Sequence, residues 1–173
     1  MFNRIIGNII VALLSVALLA SSCKENRPQG KPLTPEELID RNKDRLGRED
    51  LFIDSWLENK DWKIKTTSTG LRYFIYSDSI GDPMQTEDIA VVTYSVFLLD
   101  SSLVTTVRAD LPKAFRIDRD DVISGLHEAA KLLSPGDSAI LIVPSYLAYG
   151  LTGTTDIPSN MPLLYDIQVL DKR

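Results

Sequence analysis

The side chains able to attack a bond, move a proton or hold a metal are few and badly placed for doing so. His127 is the only histidine and Cys23 the only cysteine, whereas a metal ligand or a general base needs partners converging on one point. His127 is therefore expected at a solvated or interface position on a helix. Asp118, Asp120 and Asp121 briefly suggest a calcium loop, but Ile123 stands at the sixth position, where glycine is required, and Ala129 stands where a bidentate glutamate belongs. A helix N-terminus is the expected use for these carboxylates, because the helix dipole favours negative charge there. Ser145 follows a predicted strand without the Gly-x-Ser-x-Gly elbow of serine hydrolases. No metal and no cofactor are expected, and nucleophilic hydrolysis has no support. The residue that stands out is Tyr149, followed by Gly150 in a segment punctuated by Gly and Pro. A large side chain in a loop has less structural reason to be buried than one in a strand. Its position favours a functional use, with a core position as the alternative.

Composition is that of an ordinary globular chain. Of 173 residues 44% are hydrophobic and 25% charged, with nine Gly and nine Pro, well away from disordered or low-complexity usage. The net charge of -5 comes without a clustered Lys/Arg face, so a nucleic-acid partner is not expected. At the N-terminus Arg4 precedes an apolar run from Ile5 to Ala20, which ends in Ser21 and Ser22 before Cys23. This is the layout of a secretory signal. The run is shorter than the about 20 apolar residues that a spanning helix needs. Cys23 resembles the lipid-modified cysteine of a bacterial lipobox, although Ala20 stands where Leu is usual and Leu19 lies one place earlier. The expectation is an exported protein, anchored at Cys23 to a bacterial membrane on its periplasmic side or to the outer membrane.

Periodicity divides the rest. Residues 1–22 read as the signal and 23–34 as a Pro- and Gly-containing tether. A helical extension over 35–62 opens on Thr34-Pro35-Glu36-Glu37, a cap followed by proline and by a carboxylate three residues on. Gly47 is able either to close a first helix or to lie within a longer one. Beyond it Phe52, Ile53, Trp56 and Leu57 recur at helical spacing, which fits either a dimer face or packing against the chain's own sheet. From residue 66 the period becomes that of strands, expected at 71–76, 90–98, 114–117, 138–143 and 163–170. One helix carries Val122, Leu126, Ala129 and Leu133 and is stopped by Ser134-Pro135-Gly136. Strands, one helix, then two strands make an α+β domain over 66–173, an antiparallel sheet with a helix on one face.

Within that frame several short motifs fall in one order: Val91-Val92-Thr93-Tyr94, Val122-Ile123-Ser124-Gly125-Leu126, Pro135-Gly136-Asp137, Ile142-Val143-Pro144, Leu147-Ala148-Tyr149-Gly150, Ile157-Pro158, and Leu163 to Leu170 with Tyr165 inside it. Together they resemble the FKBP-type peptidyl-prolyl cis-trans isomerases, and the stretch from Thr66 to Arg173 has the length of the whole domain. The resemblance implies an FKBP-like twisted antiparallel sheet wrapped on one short helix, here with an N-terminal helical extension. It also implies a proline-binding cup, with Tyr149 donating its hydroxyl and Ile157 its backbone N–H to substrate carbonyls. Phe115, Val122 and Ile123 would surround the proline ring, and Tyr94, Val104, Leu126 and Tyr165 would complete the wall and floor. The partners implied are proline-containing polypeptide clients. A signal, a lipid cysteine, a helical segment and this domain are together similar to gliding-motility-associated FKBP-type lipoproteins.

The chain departs from the family at four points. Val104-Thr105 replaces a Phe-Asp pair, Leu126 replaces the Trp at the floor, and Lys113 lies where an aromatic is frequent. The expected function is therefore isomerisation of prolyl bonds with reduced activity, assisting the folding of exported proteins; the alternative is a catalytically weak binding or chaperone module. Lipidation has its own test. Cys23→Ser should abolish metabolic labelling with a radioactive fatty acid, and undiminished labelling would contradict attachment at that residue.

Overall fold

The structure is a computed structural model that describes residues 32–173. The expected signal segment 1–22, the expected attachment site Cys23 and the expected tether as far as residue 31 lie outside the described residues. The chain divides into two compact units, Met1–Ile39 and Asp40–Arg173. In the described part of the first, the capping box forms: Thr34 N–H donates to the Glu37 carboxylate at 2.8 Å, and Glu37 N–H donates to Thr34 Oγ1 at 3.2 Å. These two bonds satisfy donors that a helix start leaves open.

Helix α1 runs over Pro35–Leu57 without interruption, so Gly47 lies within one long helix rather than closing a first one. Its C-terminal half packs on the chain's own sheet. Ile53 is fully buried with Leu99 and Ile142, and Trp56, Leu57, Ile64, Ile140 and Leu164 close around them. Trp56 Nε1–H donates to the Leu99 carbonyl at 2.7 Å. Leu51 and Phe52 remain exposed. Beside the apolar contact the buried Arg72 guanidinium reaches Asp54 at 2.8 Å and Asp50 at 3.3 Å.

Seven antiparallel strands follow: β1 (Lys65–Thr66), β2 (Arg72–Ser77), β3 (Ile89–Leu98), β4 (Leu103–Val107), β5 (Lys113–Arg116), β6 (Ser138–Val143) and β7 (Leu163–Lys172), with helix α2 (Ser124–Ala130) between β5 and β6. The sheet order is β1-β2-β6-β7-β3-β4, and β5 also pairs with β3. The ten-residue β3 is the organising strand: its first half pairs with β5, its second half with β4, and its whole length with β7. Alternation puts Val92 and Val96 of β3, Leu141 of β6, and Tyr165, Ile167 and Val169 of β7 into one core cluster. There they meet Leu126, Ala129 and Ala130 of α2. This is the α+β architecture expected from the sequence, a sheet with one short helix on its inner face.

Three details differ from expectation. Strands β1 and β4 were not anticipated: β1 is two exposed residues, and β4 carries Thr105 and Thr106 with most of its positions exposed, so neither has the alternation that marks a half-buried strand. The carboxylates of Asp118 and Asp120 do not cap α2, whose N-cap is Ile123 with no side-chain bond. Asp118 instead pairs with Lys131 at 2.9 Å and accepts the Thr86 hydroxyl at 2.6 Å, and Asp120 accepts the Arg116 N–H at 2.8 Å. The Thr86 hydroxyl, then Lys131, hold the Asp118 carboxyl below its ordinary range. His127 is half-buried rather than solvated: Nδ1 accepts the Asp118 N–H at 3.0 Å, Nε2 lies 3.1 Å from the Asp120 carbonyl, and the ring stands edge-on to Phe115. The tautomer with its proton on Nε2 satisfies both contacts, which makes His127 a brace for the turn after β5.

The seating of α1 on the sheet gives the first prediction. Ile53→Ala should destabilise the folded chain by about 2 to 5 kcal/mol, the usual cost of emptying a well-packed aliphatic site. Urea unfolding measures it, and a loss below about 1 kcal/mol would mean that α1 is not held by this contact.

Candidate active site

Residues of three strands and one loop line a cavity of about 240 Å³. Strand β3 supplies Tyr94 and Val96, β4 supplies Val104 and Thr105, β7 supplies Tyr165, and the loop between β6 and β7 supplies Tyr149, Thr154, Asp156 and Ile157. Register explains the convergence. Val96 is paired with Thr105 on one side and Tyr165 on the other, so one cross-strand row contributes three members of the lining. The Tyr94 and Tyr165 rings meet at 5.4 Å between centroids with a tilt of 58°, an ordinary packing geometry for aromatic pairs.

The three phenols differ in burial and share one space. Tyr165 is 3% exposed and Tyr149 38%. Burial, and then the nearness of Tyr149 and Tyr94, push the Tyr165 phenol above its ordinary range; burial, and then Tyr149, do the same to Tyr94. Both stay protonated and remain donors. None of the three hydroxyls has a hydrogen-bond partner among the described residues. Val96, Val104 and Ile157 are the aliphatic members of the lining, and Tyr94, Thr105, Tyr149, Thr154, Tyr165 and Asp156 are the polar ones.

The loop that carries Tyr149 and Ile157 is closed by its own backbone. The Ser145 carbonyl accepts the N–H groups of Ala148 at 3.0 Å and Gly150 at 2.7 Å, and Asn160 N–H donates to the Gly150 carbonyl at 2.7 Å. Gly153 has φ +64°, and a Cβ there would lie 2.4 Å from the Ile157 carbonyl oxygen, so no other residue fits without moving the turn. Thr154 N–H donates to the Ile157 carbonyl at 2.7 Å, and Ile157 N–H donates to Thr154 Oγ1 at 3.1 Å. The N–H that the family resemblance assigns to substrate is thus engaged by Thr154.

Helix α1 holds both ends of this loop. The carboxylate of Glu49, 8% exposed, accepts the Ser145 hydroxyl at 2.6 Å and the Ser145 N–H. One turn earlier, Arg45 Nη1 donates to Asn160 Oδ1 at 2.8 Å, and the guanidinium lies 3.9 Å from Glu49. Ser145 is fully buried by this contact, in keeping with its lack of a nucleophile's setting.

Of the residues expected at the site, Tyr94, Val104, Tyr149, Ile157 and Tyr165 line the cavity. Phe115 and Leu126 are buried in the core beneath, and Val122 and Ile123 are half-buried against the same cluster. Val96, Thr154 and Asp156 also line the cavity and were not singled out from sequence. Val96 was readable, being two residues from Tyr94 on the same strand face. Thr154 and Asp156 depend on a loop conformation that no periodicity reports, and the contacts of Arg45 and Glu49 join residues about a hundred positions apart. Larger cavities occur among the described residues, one of about 560 Å³ beside α2 and one of about 370 Å³ on the outer sheet face. The first is lined mostly by charged and polar side chains, among them the paired Asp118 and Lys131, and neither gathers aromatic side chains with the motif loop. Among the described residues no three His, Cys, Asp or Glu side chains group as metal ligands, and no helix is long and apolar enough to cross a membrane.

Residues 81–170, more than half of the chain, match the family described as FKBP-type peptidyl-prolyl cis-trans isomerase. The chain belongs to the FKBP family. Its relatives include the FKBP-type peptidyl-prolyl cis-trans isomerase FkpA of Escherichia coli, 34% identical over 113 residues that make up 65% of this chain and 41% of the relative. Another is a probable FKBP-type isomerase of Haemophilus influenzae, 32% identical over 124 residues, 70% of this chain and 50% of that one. The chain thus matches half or less of the length of these two curated relatives. The crystal structure of E. coli FkpA superposes with a TM-score of 0.65 at 24% identity, covering 96% of this chain and 82% of that one. A peptidyl-prolyl isomerase structure from Pseudomonas syringae gives 0.64 at 24% identity, over 83% and 98%. These two likenesses establish the FKBP fold.

The hold of α1 on the loop is open to test. Glu49→Ala leaves the Ser145 N–H and hydroxyl without their acceptor and should cost about 1 to 3 kcal/mol in stability. It should also weaken binding of a proline peptide at least threefold. Glu49→Gln, which keeps an acceptor for the N–H and a donor for the hydroxyl oxygen, should restore most of that binding. Peptide affinities for the three proteins check this, and equal affinities would separate α1 from the site.

Proposed function

We propose that this FKBP chain is a peptidyl-prolyl cis-trans isomerase that works on exported polypeptides beside a bacterial membrane, with turnover reduced relative to a fully aromatic pocket. The observation that carries the reading is the cavity itself, which brings Val96, Val104 and Ile157 together with three tyrosines, of which Tyr149 is part-exposed. Rotation about a peptide bond faces a barrier of about 18 to 20 kcal/mol because amide resonance is lost on the way. The twisted amide is less polar than the planar one, so Val96, Val104 and Ile157 favour it over the ground state by withholding water. Each ~1.4 kcal/mol of that difference is worth tenfold in rate. Tyr149 donates its hydroxyl to a carbonyl of the bound peptide, fixing the register in which the proline enters. No nucleophile, metal or proton transfer is needed.

Location and attachment form part of the same proposal. The signal-like segment, Cys23 and the short tether support export and lipid anchoring, and their order before a helix and an FKBP domain supports kinship with gliding-motility-associated lipoproteins. Several acyl chains on one cysteine hold a protein stably, each buried CH₂ adding about 0.8 kcal/mol. The folded unit then meets proline-containing clients at the membrane surface.

A second reading, a binding or chaperone module with little turnover, is favoured by specific observations. Ile157 N–H is bonded to Thr154 rather than offered to a ligand. Val104 and Thr105 present less apolar surface and no carboxylate where the family resemblance implies a Phe-Asp pair, and Leu126 lies in the core in place of an indole.

Two measurements separate these readings. Tyr149→Phe should lower turnover of a proline peptide about fivefold, the worth of one hydrogen bond of about 1 kcal/mol, with the unfolding midpoint unchanged because the ring is half-exposed. Unfolding of the variant would show instead that Tyr149 is a core residue. In a refolding reaction limited by a prolyl bond, the full-length protein should accelerate the slow phase at substoichiometric concentration. Suppressed aggregation without acceleration would select the binding reading.

A further inference from the structure

Asp156 immediately precedes Ile157 and is the one formally charged side chain of the nine that line the cavity. Some other carboxylates of this unit pair with cations, among them Asp88 with Lys172, Glu87 with Arg119, Asp118 with Lys131, and Asp50 and Asp54 with Arg72. Asp156 has no such partner among the described residues. Its backbone N–H is spent on Thr154 Oγ1 at 3.3 Å, while its carboxylate makes no bond within the loop. The turn that carries it is held by the Thr154 to Ile157 bonds and by the glycine-only corner at Gly153. The backbone that carries the exposed carboxylate is therefore held in place by the turn.

The rest of the lining sharpens this asymmetry. Five neutral hydroxyls and three aliphatic side chains surround the carboxylate, and no Lys, Arg or His belongs to the lining. The half-buried phenol of Tyr94 and the buried one of Tyr165 are held in their neutral, donor form. A peptide in the cavity thus meets one uncompensated negative charge. We infer that Asp156 is a specificity-determining residue that selects proline peptides carrying a Lys or Arg side chain next to the proline. The inference rests on the proposed prolyl site. The long stems of Lys and Arg let the proline ring sit against Val104 and Ile157 while the cation reaches the rim. An exposed ion pair of this kind is worth about two- to fivefold in affinity, and salt screens it.

The test compares three peptides identical except for Lys, Gln or Glu before the proline, titrated against the full-length protein and against Asp156→Asn at low and high ionic strength. The wild-type protein should bind the Lys peptide about two- to fivefold more tightly than the Gln peptide and the Glu peptide more weakly still. The spread should narrow at high salt, and the Lys-to-Glu ratio should fall to about one in Asp156→Asn. Equal affinities in the wild-type protein, or a preference that survives in Asp156→Asn, would overturn charge selection while leaving the prolyl site standing. Failure of all three peptides to bind would overturn the site and the inference together.

Discussion

The contact on which the site depends is the one between Glu49 and Ser145. The connection from Val143 to Leu163 is long, and its only regular structure is one 3-10 turn at Ser145–Leu147. A segment of that kind keeps a defined shape only if enough bonds offset the entropy of ordering it. Its own backbone supplies several, and Glu49 and Arg45 fix its two ends to a helix that is itself seated on the sheet through Ile53 and Arg72. Burying a carboxylate is costly without partners, and Glu49 has an N–H and a hydroxyl directed at it and a guanidinium nearby. The helical extension thereby supports the loop that carries Tyr149 and Ile157, through Ser145 and Asn160.

The sheet supplies the other half of the same geometry. Because β3 pairs with β4, β5 and β7, one strand brings Tyr94 and Val96 opposite Val104, Thr105 and Tyr165. Phe115 and Leu126 belong to the core rather than to the lining, which holds three aliphatic residues, five that carry hydroxyls and one carboxylate. Such a cavity has fewer apolar atoms with which to favour a twisted amide and more groups with which to hold a chain in register. On the proposed reading such a lining suits recognition at least as much as rate.

Most of the fold was legible in the sequence because the strongest signals are local. Alternation in β3 and β7, the capping box at Thr34 and the turn at Pro135-Gly136 each report their structure within a few residues. The ordered motifs around Tyr149 and Ile157 marked the loop of the site. What was not legible depends on distant pairing. Strand β4 exists because β3 is there to pair with it, and its exposed threonines carry no period of their own. The brace made by His127 and the pairing of Asp118 with Lys131 needed the turn after β5 to be known. Glu49 looked like one more acid on a charged helix, since nothing local marks a side chain that is buried by a loop ninety-six positions away.

The central claim, that a proline peptide sits in the cavity held between β3, β4, β7 and the loop anchored by α1, is most directly tested by titrating such a peptide into the isotope-labelled full-length protein and following backbone amide resonances. The account predicts perturbations at Tyr94, Val104, Tyr149, Ile157 and Tyr165, extending to Ser145 and Asn160 at the anchored ends of the loop. Perturbations confined to the outer sheet face around Tyr76, Thr93 and Asp166, with the loop unmoved, would contradict it.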